Sequence, residues 1–225
     1  SSSVNKFDAL TLDELKAARR DGARVVLVRG EEGLGKTRLL ETFRGLAWVK
    51  GARVAIGRCH ANGAFCGPFH DVMLRIAGPG LSRSNGEKIL GPDRALLERM
   101  FPALASRAVP PGVGGIALAA DFEDPNVIFR AVGEAFRRAA ADAPLVVGLE
   151  DVHRADGGTL RLLRSLLTRL GPTQPARVLL VLTARSEELD RPDSAAVAAG
   201  LAALPGLLTL PLKPLLPEET AELIR

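Results

Sequence analysis

Gly30-Glu31-Glu32-Gly33-Leu34-Gly35-Lys36-Thr37 is the stretch of this chain best equipped for chemistry. Its form is G-x-x-x-x-G-K-[ST]. The glycines free the backbone to curl until successive N–H groups face one point, which makes a concave anion site. Lys36 adds a cation able to reach the β- and γ-phosphates of a nucleotide, and Thr37 a hydroxyl able to ligate Mg²⁺. A second candidate is Glu150-Asp151, two carboxylates after the apolar run Leu145-Val146-Val147-Gly148-Leu149. Adjacent carboxylates near a polyanion repel it unless a cation bridges them, so Mg²⁺ is implied. One acid holds the metal opposite Thr37 and the other polarises an attacking water. Spacing alone leaves open which acid does which. Thr183 and Arg185 follow a third apolar run, 177–182. There Thr183 is suited to orienting a water and Arg185 to sensing a γ-phosphate.

These groups need strands that end beside one another. The run 24–29 is short, apolar and β-branched, and residues 38–50 after the loop have helical character. Strand, loop, helix is the order that aims a helix N-terminus at phosphate. Further strands are expected at 53–58, 145–149, 177–182 and 207–210. Helices are expected near 69–77 and 93–105, at 126–141 and 160–170, and in the alanine-rich segment before Pro205. Ile128, Ala131, Val132, Ala135, Phe136 and Ala139 share one face of the 126–141 helix, and Leu163, Leu166, Leu167 and Leu170 one stripe of the next. Near-continuous apolar strands alternating with helices predict a five-stranded parallel sheet covered on both faces. Ligands of such sheets bind beyond the carboxyl ends of the strands, where all three groups of candidates fall. Thr11-Leu12-Asp13-Glu14 has the form of a capping box, so a helix is expected from Thr11 to Arg20, with residues 1–10 a disordered or linker start. One nucleotide-binding domain then fills 11–225, with 59–125 an irregular helical insertion between strands 2 and 3. The chain stops within an expected helix opened by Pro217-Glu218-Glu219, as a fragment of a longer protein would.

Composition narrows the classes. The 225 residues suit one domain with a sizeable core, 47% hydrophobic and 25% charged. No apolar run approaches the ~20 residues that span a membrane, and the serine-rich start has no signal-peptide core, so a cytoplasmic protein is expected. The net charge is +4, but the arginines are scattered and aromatics are only 4%, with no tyrosine, which argues against a stacking platform for nucleic acid. Cys59, His60, Cys66 and His70 have no standard zinc spacing; two reduced thiols and two ordinary histidines are the better reading. His153 and Asp156 are expected to shape the loop after the acids.

The whole pattern resembles the nucleotide-binding domain of the STAND ATPases, within the AAA+-like group of three-layer α/β P-loop NTPases, and most of all that of large ATP-binding LuxR-type bacterial transcriptional regulators. Gly30 to Leu40 matches their G-E-x-G-x-G-K-T-R-L-L, the Walker A element. Leu149-Glu150-Asp151-Val152-His153-Arg154-Ala155-Asp156 matches L-E-D-x-H-x-A-D, which holds the Walker B acids. Thr159–Leu163, Leu179–Arg185, Leu208–Leu215 and Gly57-Arg58-Cys59-His60 fit as well. The resemblance implies ATP/ADP and Mg²⁺ as cofactors, with Gly30, Glu31, Glu32, Gly33, Leu34, Gly35, Lys36, Thr37 and Arg38 around the nucleotide. By the usage of such proteins Glu150 joins Thr37 at Mg²⁺ and Asp151 serves the water. It also implies a slow ATPase acting as a switch, nucleotide-dependent self-association in the full-length protein, and DNA contacts only through domains outside this chain. A helical lid and a sensor domain belong beyond residue 225. The alternatives are an origin-recognition-like AAA+ DNA-loading ATPase and a module that holds nucleotide without turnover. Glu32 departs from the small residue usual in the loop, Arg154 from the usual tryptophan, and Asn5-Lys6-Phe7-Asp8 lacks the usual G-R pair.

Overall fold

The computed structural model describes residues 3–61, 63–78, 83–105 and 124–212. Strands β1 (Arg24–Gly30), β2 (Arg53–Arg58), β3 (Leu145–Glu150), β4 (Val178–Arg185) and β5 (Leu207–Pro211) form one parallel sheet in the order β2-β3-β4-β1-β5. Helices α1 (Ser3–Asp21), α2 (Lys36–Val49), α3 (Gly67–Ala77), α4 (Arg83–Leu90), α5 (Arg94–Met100), α6 (Pro125–Asp142), α7 (Gly157–Arg169), α8 (Ser186–Leu189) and α9 (Ala195–Ala202) accompany it. This is the expected α/β fold of the P-loop NTPases. Among the described residues no helix is long and apolar enough to cross a membrane.

Alternation along each strand divides the core in two, because successive side chains leave a strand on opposite faces. Val25 and Leu27 of β1, Leu145, Val147 and Leu149 of β3, and Val178, Leu180 and Leu182 of β4 join one cluster, with Phe69, Met73, Phe136 and Leu166. Val26, Val28, Val146, Leu179 and Val181 point the other way, onto Phe7, Leu15, Leu40 and Phe43 of α1 and α2. The faces expected for α6 and α7 are the buried ones. Asp124 caps α6, accepting the Asn126 N–H at 2.9 Å. Gly148 lets α2 press onto β3: a Cβ there would lie 2.9 Å from Leu40 Cδ2. The helix that carries the loop is thereby seated against the strand that carries the acids.

The start of the chain differs from expectation. The helix does not begin at a Thr11 capping box, and residues 3–10 are not a disordered start; α1 begins at Ser3. Thr11 is fully buried in the helix, and its hydroxyl donates to Phe7 O at 2.6 Å, a way for a mid-helix threonine to satisfy itself. The tertiary reason is Phe7, which meets the Phe43 ring edge-on with centroids 5.7 Å apart. Burying such a ring is worth ~1.5–3 kcal/mol, enough to extend the helix upstream of a local start signal. Between β2 and β3, α3, α4 and α5 are regular helices, with short 3₁₀ turns at 91–93 and 102–104. The stretch 106–123 and the helix expected from Pro217 lie outside the described residues.

Candidate functional site

The loop forms as its glycines require. Gly33 and Gly35 have φ of +82° and +77°, in the left-handed region that a Cβ penalises. The second ends the loop as the N-cap of α2, and no side chain caps that helix. Its first-turn N–H groups therefore point outward as donors for an anion. Lys36 is 9% exposed and donates to Gly30 O at 2.8 Å and Glu31 O at 2.6 Å. Burial pushes its ammonium below the ordinary lysine range and the Arg185 charge adds to this, while Glu187, Asp151 and Glu32 act against it. Thr37 and Arg38 are exposed in the first turn of α2.

The acids meet a partner that composition did not single out. Arg58 pairs in register with Glu150 across β2 and β3, and its Nε lies 3.4 Å from both Glu150 Oε2 and Asp151 Oδ2. One guanidinium thus bridges the pair and offsets half of its charge. A cleft of about 220 Å³, lined by Arg44, Arg58, Asp71, Arg75 and Glu150, opens at this point. Asp151 itself turns out of the strand with φ 57° and ψ 41°, a left-handed conformation that aspartate tolerates better than most residues. Its N–H donates to the Thr183 hydroxyl at 3.3 Å. Of the two acids, Asp151 is the one whose charge is felt at Lys36.

The sheet order puts β4 between the loop strand and the acid strand. Gly30 lies opposite Arg185 in the β1–β4 ladder. Arg185 reaches over the loop, with Nη1 2.6 Å from Glu32 Oε1. Glu32 therefore points outward toward a cation. Its N–H donates to Glu187 Oε1 at 2.8 Å. Glu187 is a second group that sequence reasoning missed; its place two residues beyond Arg185 was the available signal. Its own N–H and that of Glu32 hold its carboxyl below the usual range, with Lys36 and Arg185 adding to the effect.

The loop after the acids is shaped by the two residues expected to shape it. Asp156 caps α7, accepting from Gly158 N–H at 2.8 Å and Thr159 N–H at 3.0 Å, and also takes the Cys66 N–H at 3.3 Å. His153, 5% exposed, accepts the Arg185 N–H on Nδ1 at 3.3 Å. Cys59 and Cys66 are free and buried; burial lifts the Cys59 thiol to about 12 and raises Cys66 as well, so both are protonated. Among the described residues no group of three or more His, Cys, Asp or Glu side chains is placed to hold a metal ion.

The loop, the acids, Thr183 and Arg185 thus gather at the carboxyl ends of three neighbouring strands, as an oxygen-rich, cation-balanced site. Thr37 and the acids offer only oxygen ligands, the set that a hard cation such as Mg²⁺ prefers, and too few of them to replace its waters and phosphate oxygens. The donors fit that ion.

Comparison with known proteins agrees with the fold. The model of the AAA ATPase domain family matches residues 5–182. A relative in Rhizobium meliloti (strain 1021), "Uncharacterized protein R02095", is 32% identical over 182 residues, which cover 74% of this chain and 17% of that protein. The structure is similar to a chain in Drosophila ORC bound to poly(dA/dT) DNA and Cdc6, with a TM-score of 0.50 and 13% identity over 99% of this chain and 30% of that one. It is also similar to the Aeropyrum pernix ORC2 protein in its ADPNP-ADP complexes, with a TM-score of 0.49 and 13% identity over 92% of this chain and 47% of that one. The chain spans about a sixth of the curated relative and less than half of these solved chains.

Proposed function

Because the chain belongs to the AAA ATPase domain family, we propose that it binds ATP and hydrolyses it slowly with Mg²⁺, as the switch domain of a larger STAND-type transcriptional regulator in the cytoplasm. The observation that carries this reading is the meeting of the phosphate loop, Thr183 with Arg185, and Glu150-Asp151 at the ends of β1, β4 and β3. In such a site the uncapped first turn of α2 and Lys36 receive the β- and γ-phosphates, Lys36 exchanging the loop carbonyls for phosphate oxygens. Thr37 and Glu150 hold Mg²⁺, which supplies charge neutralisation on the phosphates. Asp151 accepts a proton from the attacking water, and the Thr183 hydroxyl orients that water. Arg185 leaves Glu32 for the γ-phosphate, so ATP and ADP leave the end of β4 in different electrostatic states. A helical lid, a sensor and a DNA-binding domain outside 1–225 read that difference, and ATP favours self-association of the full-length protein.

Calorimetry tests the site directly. ATP and ADP binding should be measurable with Mg²⁺, and Lys36→Ala should weaken ATP at least tenfold, since bonds to charged groups are worth ~1.5–3 kcal/mol each. Unchanged ATP affinity in a folded Lys36→Ala protein overturns the reading. A DNA-loading ATPase of the origin-recognition kind would have the same fold; ATP-dependent binding of duplex DNA by the full-length protein, with no effect on transcription, would favour it instead.

A further inference from the structure

The β3–β4 ladder stops at Leu149 and Leu182, although both strands run on. Beyond that point two bonds of another kind replace it. Asp151 N–H donates to the Thr183 hydroxyl, and Arg185 N–H donates to His153 Nδ1, each at 3.3 Å. The first runs from the acid turn to β4 and the second back again. The 3₁₀ turn Val152–Arg154 between them is closed by Arg154 N–H on Asp151 O at 2.9 Å, so a hold on His153 is also a hold on Asp151. Arg185 is at the same time paired with Gly30 in the ladder and, through its side chain, with Glu32.

We propose that His153 is the positioning residue that couples the acid turn to the phosphate loop, by taking the Arg185 N–H and so fixing Asp151 relative to Lys36. Because Nδ1 accepts, the proton of the neutral ring is on Nε2. That atom is buried without a hydrogen-bond partner among the described residues. A buried polar atom left unsatisfied calls for a reason of its own, and here the reason is the orientation that the other nitrogen requires. A leucine would fill the space without that orphaned donor. The role rests on the nucleotide-site reading for its purpose, though the coupling itself is a property of the ligand-free protein.

Two variants isolate the acceptor. His153→Asn places Oδ1 where Nδ1 stood, and His153→Ala removes it. Amide hydrogen exchange in the nucleotide-free chain should accelerate about tenfold or more at Asp151 and Arg185 in His153→Ala, and stay within about threefold of the parent in His153→Asn, with core amides of β1 unchanged. The gain in ATP affinity that Mg²⁺ confers should fall in the first variant and persist in the second. If exchange at Asp151 is the same in all three proteins, or equally faster in both variants, the coupling is refuted, whether or not ATP binds. If exchange behaves as described but the parent fails to bind ATP, the coupling stands and the nucleotide reading falls. If His153→Ala does not fold, failure of His153→Asn to keep parental exchange at Asp151 and Arg185 refutes it equally.

Discussion

Arg58 Nε stands 3.4 Å from Glu150 Oε2 and 3.4 Å from Asp151 Oδ2, so a single guanidinium spans the acid pair. A guanidinium and a divalent cation compete for the same oxygens. Arg58→Ala should therefore lower the Mg²⁺ concentration needed for half-maximal ATP binding by about threefold or more. Arg58 is 47% exposed, and such pairs add only ~0–1 kcal/mol, so the melting temperature should barely move. An unchanged Mg²⁺ requirement would mean that the metal and Arg58 do not share these oxygens.

On the proposed reading, the acids serve chemistry more than binding. Glu150→Gln and Asp151→Asn keep shape and, at position 151, a residue type that tolerates φ 57°. Each should cut steady-state ATP turnover by ~10²-fold, the usual worth of a positioned base or metal ligand, while ATP affinity stays within about tenfold. Normal turnover in both variants would remove the pair from the reaction.

Glu187 holds the Glu32 N–H that the loop would otherwise turn to an anion. If the loop binds ATP as proposed, a carboxylate there would oppose the terminal phosphate. Glu187→Gln keeps an acceptor for the N–H but drops the charge, so ATP affinity should rise about two- to tenfold and ADP affinity less. Equal gains for both nucleotides, or a loss for ATP, would show that Glu187 does not face the γ-phosphate.

His70, edge-on to Phe101 with centroids 4.9 Å apart, gives a pH dependence of stability. Burial lowers its pKa from the ordinary 6.5, while the Phe65 backbone and Asp71 act against the shift. The unfolded chain then takes up a proton below pH 6.5 that the folded chain refuses. Stability is complete above that pH and is lost as the pH falls through the lowered value. His70→Phe should remove this share, so that urea midpoints at pH 7.5 and 5.5 differ less in the variant than in the parent. A variant with the parent's full pH difference would show that His70 is not the group responsible.

Much of this was legible in the sequence because it is local. The loop 30–37 is contiguous, and its glycines, Lys36 and Thr37 act within one turn of backbone. Short continuous apolar runs marked β1 to β5, and a period of about 3.6 marked the buried faces of α6 and α7, since both are properties of neighbouring residues. The same local reading failed at Thr11, where the capping pattern was real but the Phe7–Phe43 contact, made across two helices, outweighed it.

The tertiary structure alone decided the rest. Strand order is set by how crossovers pack, and no stretch of sequence states that β4 lies between β1 and β3. That order brings Arg185 to Glu32, Glu187 to the Glu32 N–H, and His153 to the Arg185 N–H. It also sets Arg58, at a sheet edge, against acids far along the chain. The sequence by itself determined which donors, cations and acids this chain offers, because residue type and short spacing specify them. Which charges hold one another at rest depended on the meeting of strand ends from distant segments, and that is fixed only when the two apolar faces of the sheet are buried together.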